Sequence, residues 1–296
     1  MAKSGFVAIV GRPNAGKSTL LNRLVGEKVA IVSVVPQTTR NQIRGVVNGP
    51  EGQIVFIDTP GIHRPLHRLN QRMMKMVHAA LEGLDLVLLI VDASLPFGEG
   101  DRFVLNLLRE KNLPSFLLLN KIDQIKKADL LPLIARYANE LSWLEVIPVS
   151  ALTGENVDLL LKRIFAALRE GPSYFSQDEY TDQPERILAA EFIREKIMHH
   201  TREEVPHSVA VILEKFEEGE RLVRIYASIL VERDSQKGIL IGQKGRMLKQ
   251  IGTDARWELE RLLNTKVYLE LFVKVRPHWR DNEAVLDEIG IAKIRS

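Results

Sequence analysis

Eight residues near the start of the chain, GRPNAGKS from Gly11 to Ser18, restrict the fold more than any other feature. They follow the apolar run Phe6 to Val10 and open an amphipathic stretch, so the loop sits at a strand-to-helix turn. In that setting the spacing G-x-x-x-x-G-K-S makes a phosphate cradle. Backbone N–H groups and the helix N-terminus face the phosphates, Lys17 reaches the β and γ groups, and Ser18 binds Mg²⁺. The flanking sequence has the matching rhythm. Continuous apolar runs (GFVAIV, QIVFID, DLVLLIV, SFLLLN, LEVIPVS) fit strands covered on both faces, and Lys17 to Val25, Asp101 to Glu110, Ala128 to Leu141 and Val157 to Leu168 fit crossover helices. Residues 1–170 are therefore expected to form a doubly wound α/β domain with a mostly parallel sheet.

Three further strings complete a nucleotide site. NKID, Asn120 to Asp123, ends the run SFLLL. The Asp123 carboxylate presents two acceptors that match the N1–H and N2 amino donors of guanine, and adenine has no such pair, so GTP is favoured over ATP. DTPG, Asp58 to Gly61, ends IVFI: Asp58 can hold the magnesium shell and the Gly61 N–H can meet a γ-phosphate, whose loss would release the segment behind it. QTTR, Gln37 to Arg40, lies where a threonine hydroxyl would complete the magnesium site, and SAL, Ser150 to Leu152, can close over the guanine edge. After Gly61 many GTPases place a water-orienting glutamine, whereas this chain has Ile62; intrinsic turnover is then expected at roughly 10⁻⁴ to 10⁻³ s⁻¹. His63 is read as a surface residue in preference to a catalytic one, and MMKM (Met73 to Met76) as helix packing. His199 and His200 are adjacent, cannot share a helical face as metal ligands, and read as a helix end.

The chain has no cysteine, which excludes disulfides and thiolate metal sites and makes the cytoplasm the expected compartment. The N-terminal apolar run is too short for a signal peptide, and LDLVLLIVDA, with Asp85 and Asp92, falls short of the ~20 residues that span a bilayer.

GPSYFSQDEYTDQP, Gly171 to Pro184, has no periodicity and is expected to link two domains. Beyond it, over residues 185–296, the pattern changes to a helix (Glu185 to Thr201), the strands SVAVILEKF and RLVRIYASILVE joined through EEGE, a short helical turn, a helix to about Leu263, and the strand KVYLELFVKVRP. That α-β-β-α-α-β order is the order of type II KH folds. Between its two adjacent helices stands a second glycine loop, Gly242, Gln243, Lys244, Gly245, followed by Arg246 and Lys249. From Lys237 to Arg280 ten basic residues face four acids, a local excess of +6 in a chain whose net charge is +3. A G-x-x-G loop of this kind clamps the backbone of about four single-stranded nucleotides, so RNA is the expected partner and DNA is not.

With these elements in this order the chain resembles the translation-factor-related GTPases. QTTR, DTPGIH, the linker and the G-x-x-G domain are together similar to the bacterial branch of that family that carries a C-terminal type II KH domain. The resemblance covers nearly the whole chain. It implies that Thr39 is the magnesium ligand beside Ser18 and Asp58, and that Asn14 matches a position that coordinates potassium in related GTPases. It implies nucleotide contacts from Gly11, Arg12, Pro13, Asn14, Ala15, Gly16, Lys17, Ser18, Thr19, Asp58, Thr59, Pro60, Gly61, Asn120, Lys121, Asp123, Ser150, Ala151 and Leu152, with catalysis resting on Lys17, Thr39, Gly61 and Asn14. It also implies a GTP/GDP switch that acts in assembly of the small (30S) ribosomal subunit by binding the 3′ region of 16S rRNA. Two rivals stand beside this reading: a signalling GTPase peripheral at the inner face of the cell membrane, whose second domain docks protein or lipid, and a passive RNA-binding protein that uses GTP structurally.

Overall fold

The structure, a computed structural model, describes residues 2–62 and 66–291. Two compact units emerge. The first gathers Met1–Val32, Gln37–Pro65 and Met73–Asp182, and the second Ser33–Pro36, Leu66–Arg72 and Gln183–Ser296.

The first unit is built on a six-stranded sheet of order β2-β3-β1-β4-β5-β6, with β1 Lys3–Val10, β2 Ile43–Gly49, β3 Gly52–Asp58, β4 Leu86–Asp92, β5 Ser115–Asn120 and β6 Glu145–Pro148. All neighbours are parallel except the β2–β3 hairpin. The apolar runs serve both faces at once. Val7 and Ile9 of β1 join Leu20, Leu21 and Leu24 of α1 (Lys17–Val25) and Leu160 and Ile164 of α5 (Val157–Ala167) in one core. Ala8 and Val10 join Val77 of α2 (Arg68–Ala80), Val104 and Leu108 of α3 (Glu99–Lys111) and Tyr137 of α4 (Lys127–Ala138) in the other. Each large aliphatic side chain so buried contributes ~1.5–3 kcal/mol, which is why a strand with no polar face is stable only between two helical layers.

β2 was not among the expected strands. It is the antiparallel edge of the sheet, with Arg44 and Asn48 exposed, and its apolar signal is interrupted by Gly45. The linker read from sequence as aperiodic is fastened along this edge. Val46 donates its N–H to the Tyr180 carbonyl (2.9 Å), Thr181 Oγ1 to the Arg44 carbonyl (2.7 Å), and Arg44 pairs with Asp182 (2.7 Å). Buried Gln53 accepts from the Tyr174 and Phe175 N–H groups and donates to the Phe175 carbonyl. These bonds satisfy an otherwise open sheet edge.

The second unit is α-β-β-α-α-β at its centre: α6 Glu185–His200, β7 Ala210–Glu217, β8 Leu222–Val231, α8 Asp234–Ile241, α9 Arg246–Leu263 and β9 Lys266–Val275. β8 is central, antiparallel to β7 and parallel to β9 from Leu222↔Lys266 to Val231↔Val275. α9 turns Ile251, Ala255 and Leu259, four residues apart, into the core. Two short helices lie outside the expected set: α7 Val205–Ser208, after α6, and α10 Glu283–Glu288, capped by Asn282 Oδ1 accepting from the Ala284 and Val285 N–H groups. Buried Arg72, in the same unit, donates to Asp287 (2.6 Å), to the Ile291 carbonyl (2.9 Å) and to Glu283. Among the described residues no helix is long and apolar enough to cross a membrane.

Candidate functional site

The register of the first sheet explains how strings far apart in sequence meet. Ile9 stands beside Asp58, Val10 beside Leu89 and Asp92 beside Asn120, so β3 ends with β1, β5 ends with β4, and the second pair reaches about three residues past the first on the same edge. The loops that leave these four strand ends lie along one edge, the usual place for a ligand in an open α/β sheet.

The phosphate loop leaves β1 at Val10 and enters α1 at Lys17. Gly16 caps the helix at φ 100°, and a Cβ there would lie 2.2 Å from Asn120 Nδ2, so both the backbone and the neighbouring loop demand glycine. Asn120 fastens three segments at once: its Nδ2 donates to the Ala15 carbonyl (2.8 Å) and its Oδ1 accepts the Ala151 N–H (2.9 Å). Lys17 is buried with Nζ 3.0 Å from the Arg12 carbonyl. Burial pulls its pKa down to about 8, and the nearby Asp58 charge opposes that fall.

Asp58 is fully buried. Ser18 Oγ donates to its Oδ2 at 2.6 Å, Thr39 Oγ1 at 3.4 Å, and the two hydroxyls are 2.8 Å apart. Its other oxygen, Oδ1, is buried with no hydrogen-bond partner among the described residues. Three hard oxygen donors beside an orphaned carboxylate oxygen fit a small divalent cation such as Mg²⁺. Burial pushes the Asp58 pKa up to about 6 against the pull of Lys17 and the hydroxyls. A cation must compete with the proton for this carboxylate. Magnesium-dependent GDP affinity should therefore fall by up to about tenfold per pH unit below pH 6, while GDP affinity in excess EDTA should stay nearly level over the same range. Fluorescence titration between pH 5 and 7.5 checks this; parallel curves in the two arms would remove Asp58 from the metal site.

The remaining expected residues divide by their surroundings. Asp123 is exposed and its Oδ1 accepts the Ser150 hydroxyl at 2.6 Å. Lys121, at φ 66°, pairs with Asp92 (2.5 Å). Thr59 is buried and its hydroxyl donates to the Ile9 carbonyl (3.0 Å); Pro60 and Gly61 are buried, and Leu152 is exposed. Ile62 sits in the apolar core with Ala8 and Val10, and its N–H donates to the Gly11 carbonyl (3.1 Å), so its side chain is packing. His63 lies outside the described residues. Met73, Met74 and Met76 are buried, and His200 Nε2 meets Asp254 Oδ2 (2.6 Å). Among the described residues no cluster of three or more His, Cys, Asp or Glu could hold a metal. Sequence reasoning missed Asp92, which holds Lys121, and Arg23 of α1, which donates to the Ala151 and Leu152 carbonyls. Asp92 could have been found at the end of its apolar run; Arg23 carries no sequence signal.

In the second unit the G-x-x-G loop joins α8 to α9. Gly242 has φ 67° and a Cβ would meet Met247 Cβ at 2.7 Å; Lys244 (φ 52°) and Gly245 (φ 77°) continue the left-handed path. Gln243, Lys244, Arg246 and Lys249 are exposed, and among the described residues no carboxylate pairs with the three cations. A bare backbone turn flanked by uncommitted positive charge suits a phosphodiester chain.

Comparison with known proteins gives the same two-part picture. The family described as 50S ribosome-binding GTPase matches residues 6–121, and the KH domain family matches 204–280. The chain is similar to GTPase Era of Heliobacterium modesticaldum (51% identical over 289 residues) and of Geobacter metallireducens (52% over 290), covering 97% of each chain in both cases. Among solved structures it is similar to Aquifex aeolicus Era bound to GDP·AlF₄⁻ (TM-score 0.94, 43% identity, 98% of this chain and 100% of that one). A second similar structure is Era in complex with MgGDPNP and nucleotides 1506–1542 of 16S ribosomal RNA (TM-score 0.95, 44% identity, 99% and 100%).

Proposed function

The chain belongs to the Era family of GTPases, and from that premise we propose that it binds and slowly hydrolyses GTP as a switch that controls binding of single-stranded RNA from the 3′ region of 16S rRNA during assembly of the 30S subunit. The observation that carries the reading is the convergence of Lys17, Ser18, Thr39 and the orphaned Asp58 oxygen at one sheet edge, because a buried carboxylate oxygen without a hydrogen-bond partner invites a cation. Residues 1–170 form the nucleotide domain in this reading, 171–184 the connection and 185–296 the RNA domain. Lys17 neutralises phosphate charge. Ser18, Thr39 and Asp58 hold Mg²⁺, which supplies Lewis-acid stabilisation of the phosphates when bound. Asp123 selects guanine, with Asn120 and Ser150 holding its surroundings. Gly242 to Gly245, with Arg246 and Lys249, take the RNA backbone.

The buried Ile62 side chain leaves water positioning to backbone and ions, and turnover is expected at roughly 10⁻⁴ to 10⁻³ s⁻¹. Asn14, at φ 62° in the phosphate loop, is the proposed ligand of a potassium ion that stands in for an arginine finger. Phosphate release from GTP should run about tenfold faster in potassium chloride than in equal sodium chloride, a difference of ~1.4 kcal/mol in barrier, and Asn14→Ala should erase it. Equal rates in both salts take the cation out of the mechanism. The place of action is the cytoplasm. The membrane rival predicts that the protein floats with anionic vesicles and ignores short single-stranded RNA; the proposed function predicts the reverse, with RNA affinity falling as salt rises. GTP binding with no phosphate release would favour the passive RNA-binding reading.

A further inference from the structure

Arg12, the second residue of the phosphate loop, turns its side chain to the start of α3. Its Nη1 donates to Asp101 Oδ2 at 2.9 Å, and the Asp101 side chain is only 4% exposed. The same oxygen accepts the Gly98 N–H (2.9 Å) at the start of α3, and the buried Tyr137 of α4 stands close enough to the carboxylate that, beside burial itself, the Asp101 charge pushes the phenol pKa up. A carboxylate this deep is stable only with a cation and several donors, so the three partners are mutually dependent.

The stem of Arg12 crosses the first turn of α3 at Gly100. A Cβ on Gly100 would lie 2.8 Å from Arg12 Nε and 3.1 Å from Cδ. The backbone there is ordinary helix, which any residue adopts; the missing side chain makes room for the arginine. The same residue's carbonyl accepts Lys17 Nζ (3.0 Å) and the Ala15 N–H (3.4 Å), so holding the Arg12 side chain holds the peptide on which the loop's curvature turns.

We propose that Arg12, Asp101 and Tyr137 form a brace that keeps the phosphate loop in its binding shape before nucleotide arrives, with Arg12 a positioning residue reached through the notch at Gly100. The inference rests on the nucleotide function proposed above and deepens it: the side chain of Arg12 orders the loop from behind, and the phosphates meet its neighbours. Preorganisation of this kind shows mainly in how slowly the ligand leaves.

The test is stopped-flow release of mant-GDP with Mg²⁺ from the full-length protein. Arg12→Gln and Asp101→Asn should each speed release about tenfold to a hundredfold, the size of a lost charge-assisted hydrogen bond, and the double variant should be no faster than the faster single one. Arg12→Lys should restore part of the loss. Gly100→Ala crowds the Arg12 stem without removing a charge, and alanine's better helix propensity offsets part of the cost of displacing the guanidinium, so Tm should fall less than in Arg12→Gln while release quickens comparably, a split that a merely structural role does not produce. Additive effects in the double variant, or parental release from Gly100→Ala, overturn the brace. Should Asp101→Asn fail to fold, Gly100→Ala and Arg12→Gln decide the matter. A parent that binds no mant-GDP would overturn the nucleotide function itself, whereas a parent that binds and variants that match it overturn the brace alone.

Discussion

Replacing Asp123 by asparagine should lower GTP affinity by about a hundredfold to ten-thousandfold and bring in binding of xanthosine triphosphate. The carboxylate can accept from both guanine donors, each a charge-assisted bond of ~1.5–3 kcal/mol, and the amide presents an N–H₂ where one acceptor stood. Xanthine carries a carbonyl where guanine has its amino group, so the same amide meets it donor to acceptor. The surroundings keep the change local: Asp123 is exposed, its Oδ1 is oriented by the Ser150 hydroxyl at 2.6 Å, and Asn120, which ties the neighbouring loops, is untouched. Competitive titration with mant-GDP against GTP, XTP and ATP measures the switch. If ATP competes equally with GTP in the unmodified protein, Asp123 is not the base selector.

The second large effect is expected at the other glycine loop. Changing Gln243 and Lys244 together to Asp should weaken single-stranded RNA binding by at least about a hundredfold at moderate salt and leave GTP affinity unchanged. Both side chains are exposed at the tip of the turn, and the left-handed positions at Gly242 and Gly245 keep their residues, so the backbone path survives while two negative charges meet the phosphodiester chain. Asp tolerates the left-handed conformation that Lys244 holds. Lys249→Ala, a single phosphate contact farther along α9, should cost less, act alike on all sequences and reduce the salt slope by about one. Circular dichroism confirms folding, and a folded double variant that binds RNA like the parent would make the loop a helix connector and nothing more.

How far such sites could be read in advance depended on the kind of signal each part carries. The parallel strands were legible because a strand buried on both faces is apolar throughout, as in Leu86–Asp92, and the phosphate loop because its glycines and lysine are consecutive. β2 was hidden because Arg44 and Asn48 interrupt its apolar residues, and Gly45, where a Cβ would meet Val25 and Leu21 at 2.6–2.7 Å, breaks its alternation. α3 was expected from Asp101 and begins at Glu99; α4 was expected to Leu141 and ends at Ala138, since helix ends follow caps and packing more than periodicity. The linker read as loose because its backbone groups and the Thr181 hydroxyl bond to Gln53, Asn48 and Arg44, more than a hundred residues away. α10 was announced by Asn282 before Glu283, a capping signal that went unused.

By itself the order of residues determined everything that depends on near neighbours: the strand-loop-helix around Gly11 to Ser18, the two acceptors at Asp123 and the positive-φ glycine turn at Gly242. Tertiary structure alone decided which of these meet. Ser18, Thr39 and Asp58 are 21 and 19 residues apart along the chain, yet their oxygens lie within 2.6–3.4 Å, and Arg12 finds Asp101 from 89 residues away. Periodicity and turn chemistry report on a residue's own few neighbours. Distances across the chain follow from which strands stand side by side and in what register, and that is set by burying all the helices' apolar faces together.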